Sequence, residues 1–356
     1  MHIIAAMSAF GKQLISWYGK NKRSLPWRDT DDPYLIWLSE VILQQTRVDQ
    51  GMSYYLRFSE QFPDVHSLAA APLEQVLKLW QGLGYYSRAR NLHATAQIIS
   101  SELKGFFPKT KSEMMKLKGI GDYTASAIAS FCFGESVPVI DGNVIRVLSR
   151  LHAIEHPVDS PQGKSELRKV AEKLLDQHDP GTYNQAIMEF GALQCTPVNP
   201  NCERCPFMGS CRAFAMDAVS AFPVKKKKAS VKEMPIQYFI LYNKTGLYLR
   251  KRGNDSIWKG LYDFPSLEKS GSPDEVLRVF QDLHGFPSVL GLKHVTDERR
   301  HLLTHRRISA RFFELEFSKQ LKNLPSNWSF VSFHELKAYP VPRLIEKYLA
   351  ERFGKF

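Results

Sequence analysis

The run LKGIGDYTASAIASF, Leu117 to Phe131, sets two glycines in a short turn between a polar helical stretch and an Ala-rich one. This spacing predicts a helix–hairpin–helix. Gly119 and Gly121 let the backbone approach a phosphate closely, and the N–H groups opening the second helix complete an anion site beside Lys116 and Lys118. An ordinary glycine joint between two helices is the competing interpretation. Outward from the hairpin, Leu35, Leu38 and Ile42, then Val76, Leu77 and Trp80, recur at three- and four-residue steps. The chain from Phe10 to about Ala218 is therefore expected to be all-α. Within it, VIDGNVIRVLSR (Val139 to Arg150) places Asp141 just before a helix beginning near Asn143, where a carboxylate serves as an N-cap or faces whatever the hairpin binds.

At 356 residues and 44% hydrophobic content the chain can build two cores, and it has no apolar stretch long enough to cross a membrane. A soluble, cytoplasmic and monomeric protein is expected. The formal net charge of +12 points to a polyanionic partner, because Lys and Arg that neutralise phosphates gain affinity by releasing counterions.

Cys195, Cys202, Cys205 and Cys211 are separated by gaps of six, two and five residues, in a loop rich in Pro, Asn and Gly. Soft thiolates at that density suit zinc or a [4Fe–4S] cluster, and the unequal gaps differ from the paired knuckles of zinc ribbons. Disulfides are disfavoured without a signal peptide. Next, AFPVKKKKASVKEMP (Ala221 to Pro235) is too polar to bury a core and reads as a basic linker, over residues 221–234. Beyond it the periodicity becomes two. IQYFILY, a turn at Asn243 to Gly246 and LYLRKR form a hairpin, RFFELEF alternates likewise, and helices near Asp274 to Leu283 and Val341 to Arg352 complete an α+β domain over 235–356.

Gly119-Ile120-Gly121, Val139-Ile140-Asp141-Gly142-Asn143-Val144-x-Arg146 and the four-cysteine loop together resemble the endonuclease III superfamily of DNA glycosylases. The resemblance implies a helix–hairpin–helix glycosylase domain over 1–220 with a [4Fe–4S] cluster on the four cysteines, and DNA phosphate contacts from Gly119, Gly121 and Lys118. Lyase-active members carry a lysine where this chain has Tyr123, and a phenol cannot form a Schiff base. Leu25-Pro26-Trp27-Arg28 and Trp37 to Val48 are similar to adenine DNA glycosylases of the MutY type. That likeness implies a bacterial, nucleoid-associated base-excision repair enzyme that flips adenine out of A:8-oxoguanine or A:G pairs in double-stranded DNA.

Adenine leaves poorly, so the reaction needs a proton delivered to the purine and stabilisation of an oxocarbenium-like sugar, work that two carboxylates can divide. Glu40, on an apolar helix, is the expected acid, and Asp141 the ionised stabiliser. Tyr123 is expected to hydrogen-bond near Asp141, and Asn143 to orient the carboxylates or a water. By resemblance Arg28 and Gln185 contact the flipped adenine, while Gln45 and Tyr85 wedge into the duplex.

Trp258-Lys259-Gly260-Leu261-Tyr262-Asp263-Phe264-Pro265 resembles the signature of the MutY C-terminal, Nudix-like domain. The helix that should carry Nudix metal ligands reads SPDEVLRVFQDLHGF, with too few carboxylates to hold Mg²⁺. Recognition is therefore its expected role, with Thr304 and His305 standing for the family's Phe-Ser-His reader of 8-oxoguanine and Leu303 replacing the aromatic. A catalytically idle lesion sensor and a pyrimidine mismatch glycosylase on the same scaffold are the alternatives.

Overall fold

A computed structural model describes residues 2–226, 231–254, 257–286, 291–303, 305–318, 321 and 324–354. The chain divides into two compact units, one of Met1–Ala70 with Asn91–Lys228 and one of Ala71–Arg90 with Ala229–Phe356. The helical segment Leu73–Leu79 thus groups with the strands that follow residue 229.

The first unit is helical, and its helices start and stop where the side chains dictate. Helix Pro33–Leu43 opens on Pro33 with the Asp32 carboxylate accepting the Tyr34 N–H at 2.8 Å, satisfying one of the donors that every helix start leaves unpaired. Helix Asp122–Phe133 ends on Gly134 in the left-handed region. Helix Gly142–His152 begins on Asp141, which accepts the Val144 N–H at 2.7 Å. A core of Leu14, Tyr18, Val144, Leu148, Ile187 and Phe190 ties the helices His2–Asn21, Gly142–His152 and Pro180–Leu193 together. The chain then stays on this unit past the last helix. Arg150 donates to the carbonyls of Val219 and Phe222, and Val158 N–H to that of Val224, so the stretch expected to be a free linker is anchored at its start. Lys227 to Ser230 lie outside the described residues.

The second unit is a mixed sheet of β1 (Lys232–Tyr242), β2 (Gly246–Lys251), β3 (Tyr262–Asp263), β4 (Ser266–Leu267), β5 (Gly291–Val295), β6 (Arg299–Leu302), β7 (Arg306–Glu316) and β8 (Trp328–Ser332). Its main path runs β3-β2-β1-β7-β5, with β4 on β1, β6 on β7 and β8 on β2. β1 and β7 are parallel, with Tyr238 opposite Phe312 and Phe239 opposite Phe313. Alternation sends the two residues of each consecutive pair to opposite faces. Phe239 stacks on Phe280 of helix Pro273–His284 with centroids 3.6 Å apart, while Phe312 stacks on Tyr348 of helix Arg343–Phe353 at 4.2 Å. Both faces are thereby covered by a helix, which explains why β1 reads as an almost continuous apolar run. Among the described residues no helix is long and apolar enough to cross a membrane.

The two hairpin glycines are not equivalent. Gly119 has φ +78, and a Cβ there would sit 2.5 Å from Asn91 Cβ; Gly121 is extended with open space around it. Gly119→Ala is expected to destabilise the first unit by about 1–3 kcal/mol and Gly121→Ala by well under that, checked by the denaturant midpoints of the two variants.

Candidate functional site

A cleft of about 170 Å³ in the first unit is lined by Arg28, Glu40, Tyr123, Asp141, Asn143, Gln185 and Glu189 among others. The sequence had placed six of these seven in one site. Glu40 lies on helix Pro33–Leu43 and is 6% exposed. Burial pushes its carboxyl up to about 7, with Asp141 raising it further and the Tyr123 hydrogen bond and Arg28 opposing. The Tyr123 hydroxyl donates to Glu40 Oε2, in the neighbourhood of Asp141, whose charge also acts on it. Tyr123 stands at the start of helix Asp122–Phe133, and burial together with the two carboxylates raises its pKa. It is therefore a neutral donor.

Asp141 is also raised by burial, against hydrogen bonds from the Val144 N–H and from Asn143 Nδ2, each at 2.7 Å, and the charge of Arg146. Asn143 is held in turn. Its Oδ1 accepts from Arg146 at 2.9 Å, and Arg146 also donates to the carbonyls of Gly191 and Cys195. Since Arg146 has only donors, the Asn143 oxygen must face it and the amide nitrogen must face Asp141. Asn184 pins the strand-like approach to Asp141 by accepting Val139 N–H and donating to Val137 O.

Glu189 and Arg23 were not found in the sequence, and no signal there marked them. Glu189 is 1% exposed. Burial works against its ionisation, but hydrogen bonds from Arg23 and Arg28 hold it down at about 2. Both guanidiniums grip it with two bonds, at 2.9 and 2.6 Å from Arg23 and 2.9 and 2.7 Å from Arg28. Two cations share one anion, so the wall keeps a net positive charge and Arg28 is fixed at the cleft. Gln185 Oε1 accepts from the Tyr18 hydroxyl at 2.8 Å. Gln45, exposed and at φ +56, lies on the loop after helix Pro33–Leu43 and does not line the cleft.

None of the five cysteines is paired in a disulfide. Cys195, Cys202, Cys205 and Cys211 line one small cavity with Arg150, Pro200, Met208, Phe214 and Val219, and Arg150 donates to Cys195 Sγ at 3.4 Å. Among the described residues no three such side chains converge on a single metal ion. Four thiols that line one cavity fit a cluster whose iron atoms each take one thiolate. At the hairpin, Lys116 and Lys118 are exposed. The Asp122 carboxylate, which would repel a phosphate there, is paired with Lys111 at 2.8 Å and Arg168 at 3.0 Å.

The second unit holds a cavity of about 640 Å³, lined by Tyr85, Trp258, His301, Leu303, His305 and Arg306 among others. It brings the expected wedge together with two of the expected lesion-reading positions; Thr304 lies outside the described residues. Tyr85 is 46% exposed at φ +47, whereas Tyr86 is buried. The turn before Tyr85 is fixed by its Gly84 carbonyl, which accepts from Trp80 Nε1 at 3.0 Å and from Arg88 at 3.3 Å.

Three family models match the chain: HhH-GPD superfamily base excision DNA repair protein over residues 38–177, iron-sulfur binding domain of endonuclease III over 195–211, and NUDIX domain over 237–351. The adenine DNA glycosylase of Buchnera aphidicola (subsp. Schizaphis graminum) is 36% identical over 260 residues, 73% of this chain and 75% of that one. The human adenine DNA glycosylase is 45% identical over 219 residues, 59% of this chain and 40% of that one. Among solved structures, a thermostable thymine-DNA glycosylase is 25% identical with a TM-score of 0.55, covering 59% of this chain and 97% of that one.

The buried carboxyl has a cost that titration exposes. Glu40 moves from an ordinary 4.5 to about 7 in the folded chain, so its contribution is fully present below pH 4.5 and is lost as pH rises through 7. Forcing its ionisation costs the fold on the order of 3 kcal/mol. Glu40→Gln is expected to melt higher than the parent at pH 8, with the gap shrinking towards pH 5, followed by thermal unfolding at both pH values.

Proposed function

The chain belongs to the adenine DNA glycosylase family, enzymes of base excision DNA repair with an iron–sulfur domain, and we propose that its first unit excises adenine from A:8-oxoguanine and A:G pairs with Glu40 as the acid. The observation that carries this reading is a carboxyl group with a pKa of about 7, hydrogen-bonded by a neutral phenol and facing a cleft with a second carboxylate. A general acid works best when its pKa lies near the operating pH.

Glu40, protonated, delivers its proton to the flipped purine, and the Tyr123 O–H then stabilises the carboxylate left on Glu40. Asp141 receives a backbone N–H and the Asn143 amide N–H, donors that oppose the rise imposed by burial and favour the ionised form assigned here as counter-charge to the oxocarbenium-like sugar. Water adds to the oxocarbenium carbon and gives up its proton, and because Tyr123 cannot form a Schiff base the product is an abasic site without strand cleavage. Arg28, locked by Glu189, and Gln185 form the base-contacting wall. Gly119, Gly121 and Lys118 take the DNA phosphates, and Gln45 and Tyr85 wedge into the duplex.

In the second unit the cavity carrying Tyr85, Leu303 and His305 is assigned to 8-oxoguanine, with Thr304 as a further contact. Leu303 supplies packing in place of a ring. The four cysteines are assigned as ligands of the [4Fe–4S] cluster, which, when bound, ties the 195–211 loop together as a structural element. We further propose that the enzyme acts as a monomer.

Glu40→Gln is expected to bind an A:8-oxoguanine duplex normally and release no adenine in a single-turnover assay; full activity in that variant sinks the acid assignment. Parent enzyme is expected to act on A:8-oxoguanine and not on T:G, and tight lesion binding without any abasic product would make it a sensor instead. Its single-turnover rate is expected to fall as pH rises through about 7, the value given for Glu40. The purified protein is expected to be yellow-brown with absorbance near ~400 nm that is lost with iron, whereas colourless zinc-bearing protein overturns the cluster.

A further inference from the structure

We propose that Tyr18 is a positioning residue for base recognition, holding Gln185 so that its amide nitrogen is the end offered to the flipped base. The inference rests on the reading of the cleft as an adenine pocket.

Tyr18, on helix His2–Asn21, is 4% exposed and belongs to the core that joins that helix to Pro180–Leu193. It does not line the cleft, whereas Gln185 does. Its hydroxyl donates to Gln185 Oε1 at 2.8 Å. Burial raises the phenol's pKa, with Arg28 opposing, so the proton stays on. Among the described residues Gln185 Nε2 has no hydrogen-bond partner in the protein, and it carries two donors.

A glutamine amide has nearly the same shape in either orientation, so its chemistry depends on what holds it. Turned round, the amide would offer Nε2 to Tyr18 and leave the buried phenolic O–H with no acceptor there, the expensive outcome for a desolvated donor. With Oε1 on Tyr18, Nε2 is free to donate to a ring nitrogen of the base, and the second lone pair of Oε1 remains for an exocyclic amino group. Adenine presents both groups side by side, an acceptor at N7 and a donor at N6. Reversed, the amide oxygen would meet the N7 lone pair. Tyr18 therefore decides, without touching the base, whether Gln185 attracts adenine or repels it.

Tyr18 has a second partner that the test must leave alone. The Arg28 guanidinium lies 5.6 Å from the Tyr18 ring centroid, and Lys22 lies at the same distance. Phenylalanine keeps the ring face and removes only the hydroxyl.

Full-length Tyr18→Phe, Gln185→Ala and the double variant are compared with the parent by single-turnover adenine release from an A:8-oxoguanine duplex and by affinity for a duplex carrying an uncleavable abasic analogue in place of A. Tyr18→Phe is expected to slow release about threefold to tenfold, the loss of one neutral hydrogen bond, while abasic-analogue affinity stays at the parent value because no base is present to be read. The double variant is expected to be no slower than Gln185→Ala, since the hydroxyl acts only through that amide. Release at the parental rate in Tyr18→Phe overturns the proposal. So does a further slowing on the Gln185→Ala background, or an equal loss of abasic-analogue affinity, which would mark Tyr18 as a packing residue. A parent enzyme that releases no adenine sinks the proposed function itself, a result distinct from all of these.

Discussion

A carboxyl group kept out of water on an apolar helix is the constraint around which the first unit is arranged. Glu40 sits among Trp37, Leu38, Val41 and Ile42, all buried, so its ionised form is penalised before any partner is considered. The three carboxylates of the cleft share that low-dielectric setting and differ in the donors each receives. Glu40 has one phenol. Asp141 has a backbone N–H and an amide N–H, and Glu189 has a backbone N–H and two guanidiniums. Glu40 accordingly rises to about 7 while Glu189 falls to about 2. One fold thus keeps a raised carboxyl and a permanent anion in the same cleft: the two guanidiniums outweigh burial at Glu189, and the single phenol does not at Glu40.

Those donors are useful only if they do not move. Asp141 is fixed because it is a helix N-cap, a role in which the carboxylate and the helix start hold one another. Arg146, one turn into the same helix, holds Asn143 from behind while its other donors reach the carbonyls of Gly191 and Cys195. The thiol loop is thereby fastened to the helix that carries Asp141, and Arg150, one turn further along, grips the same loop through the carbonyls of Thr196 and Pro197. A loop that buries little apolar surface of its own needs such ties. The chemistry of the cleft and the tying of the cysteine loop therefore share one helix face.

Local features of this architecture were legible in the sequence. The glycine hairpin, the Asp141 cap, the period-two strands and the cysteine spacing are all written in neighbouring residues, which is the range over which propensity and turn chemistry operate. The partnerships that span the chain were not. Glu189 meets Arg23 and Arg28 across more than 160 positions, as Tyr18 meets Gln185, and nothing in the local pattern of either segment announces the other. The parallel pairing of β1 with β7 and the grouping of Ala71–Arg90 with the strand-bearing unit escaped for the same reason. Tyr123 is expected near Asp141, and its hydrogen bond goes to Glu40 beside it, a choice that spacing along a helix does not write.

In the second unit, helix Pro273–His284 lies within the NUDIX match and is the helix expected from the sequence to carry metal-binding carboxylates. Its side chains are committed elsewhere. Val276 and Phe280 are buried, Phe280 is stacked face to face on Phe239 and packs near Phe286 and Trp328, and Glu275 pairs with Lys269. A hydrolytic Nudix site would need carboxylates gathered around Mg²⁺, whereas this helix spends its inner face on an aromatic core. The cavity of Tyr85, Trp258, His301 and His305 is instead lined by rings and donors, without a carboxylate among the lining residues. Such a lining offers the stacking faces and hydrogen-bond donors that contact with a base requires, which supports the recognition role proposed for this unit.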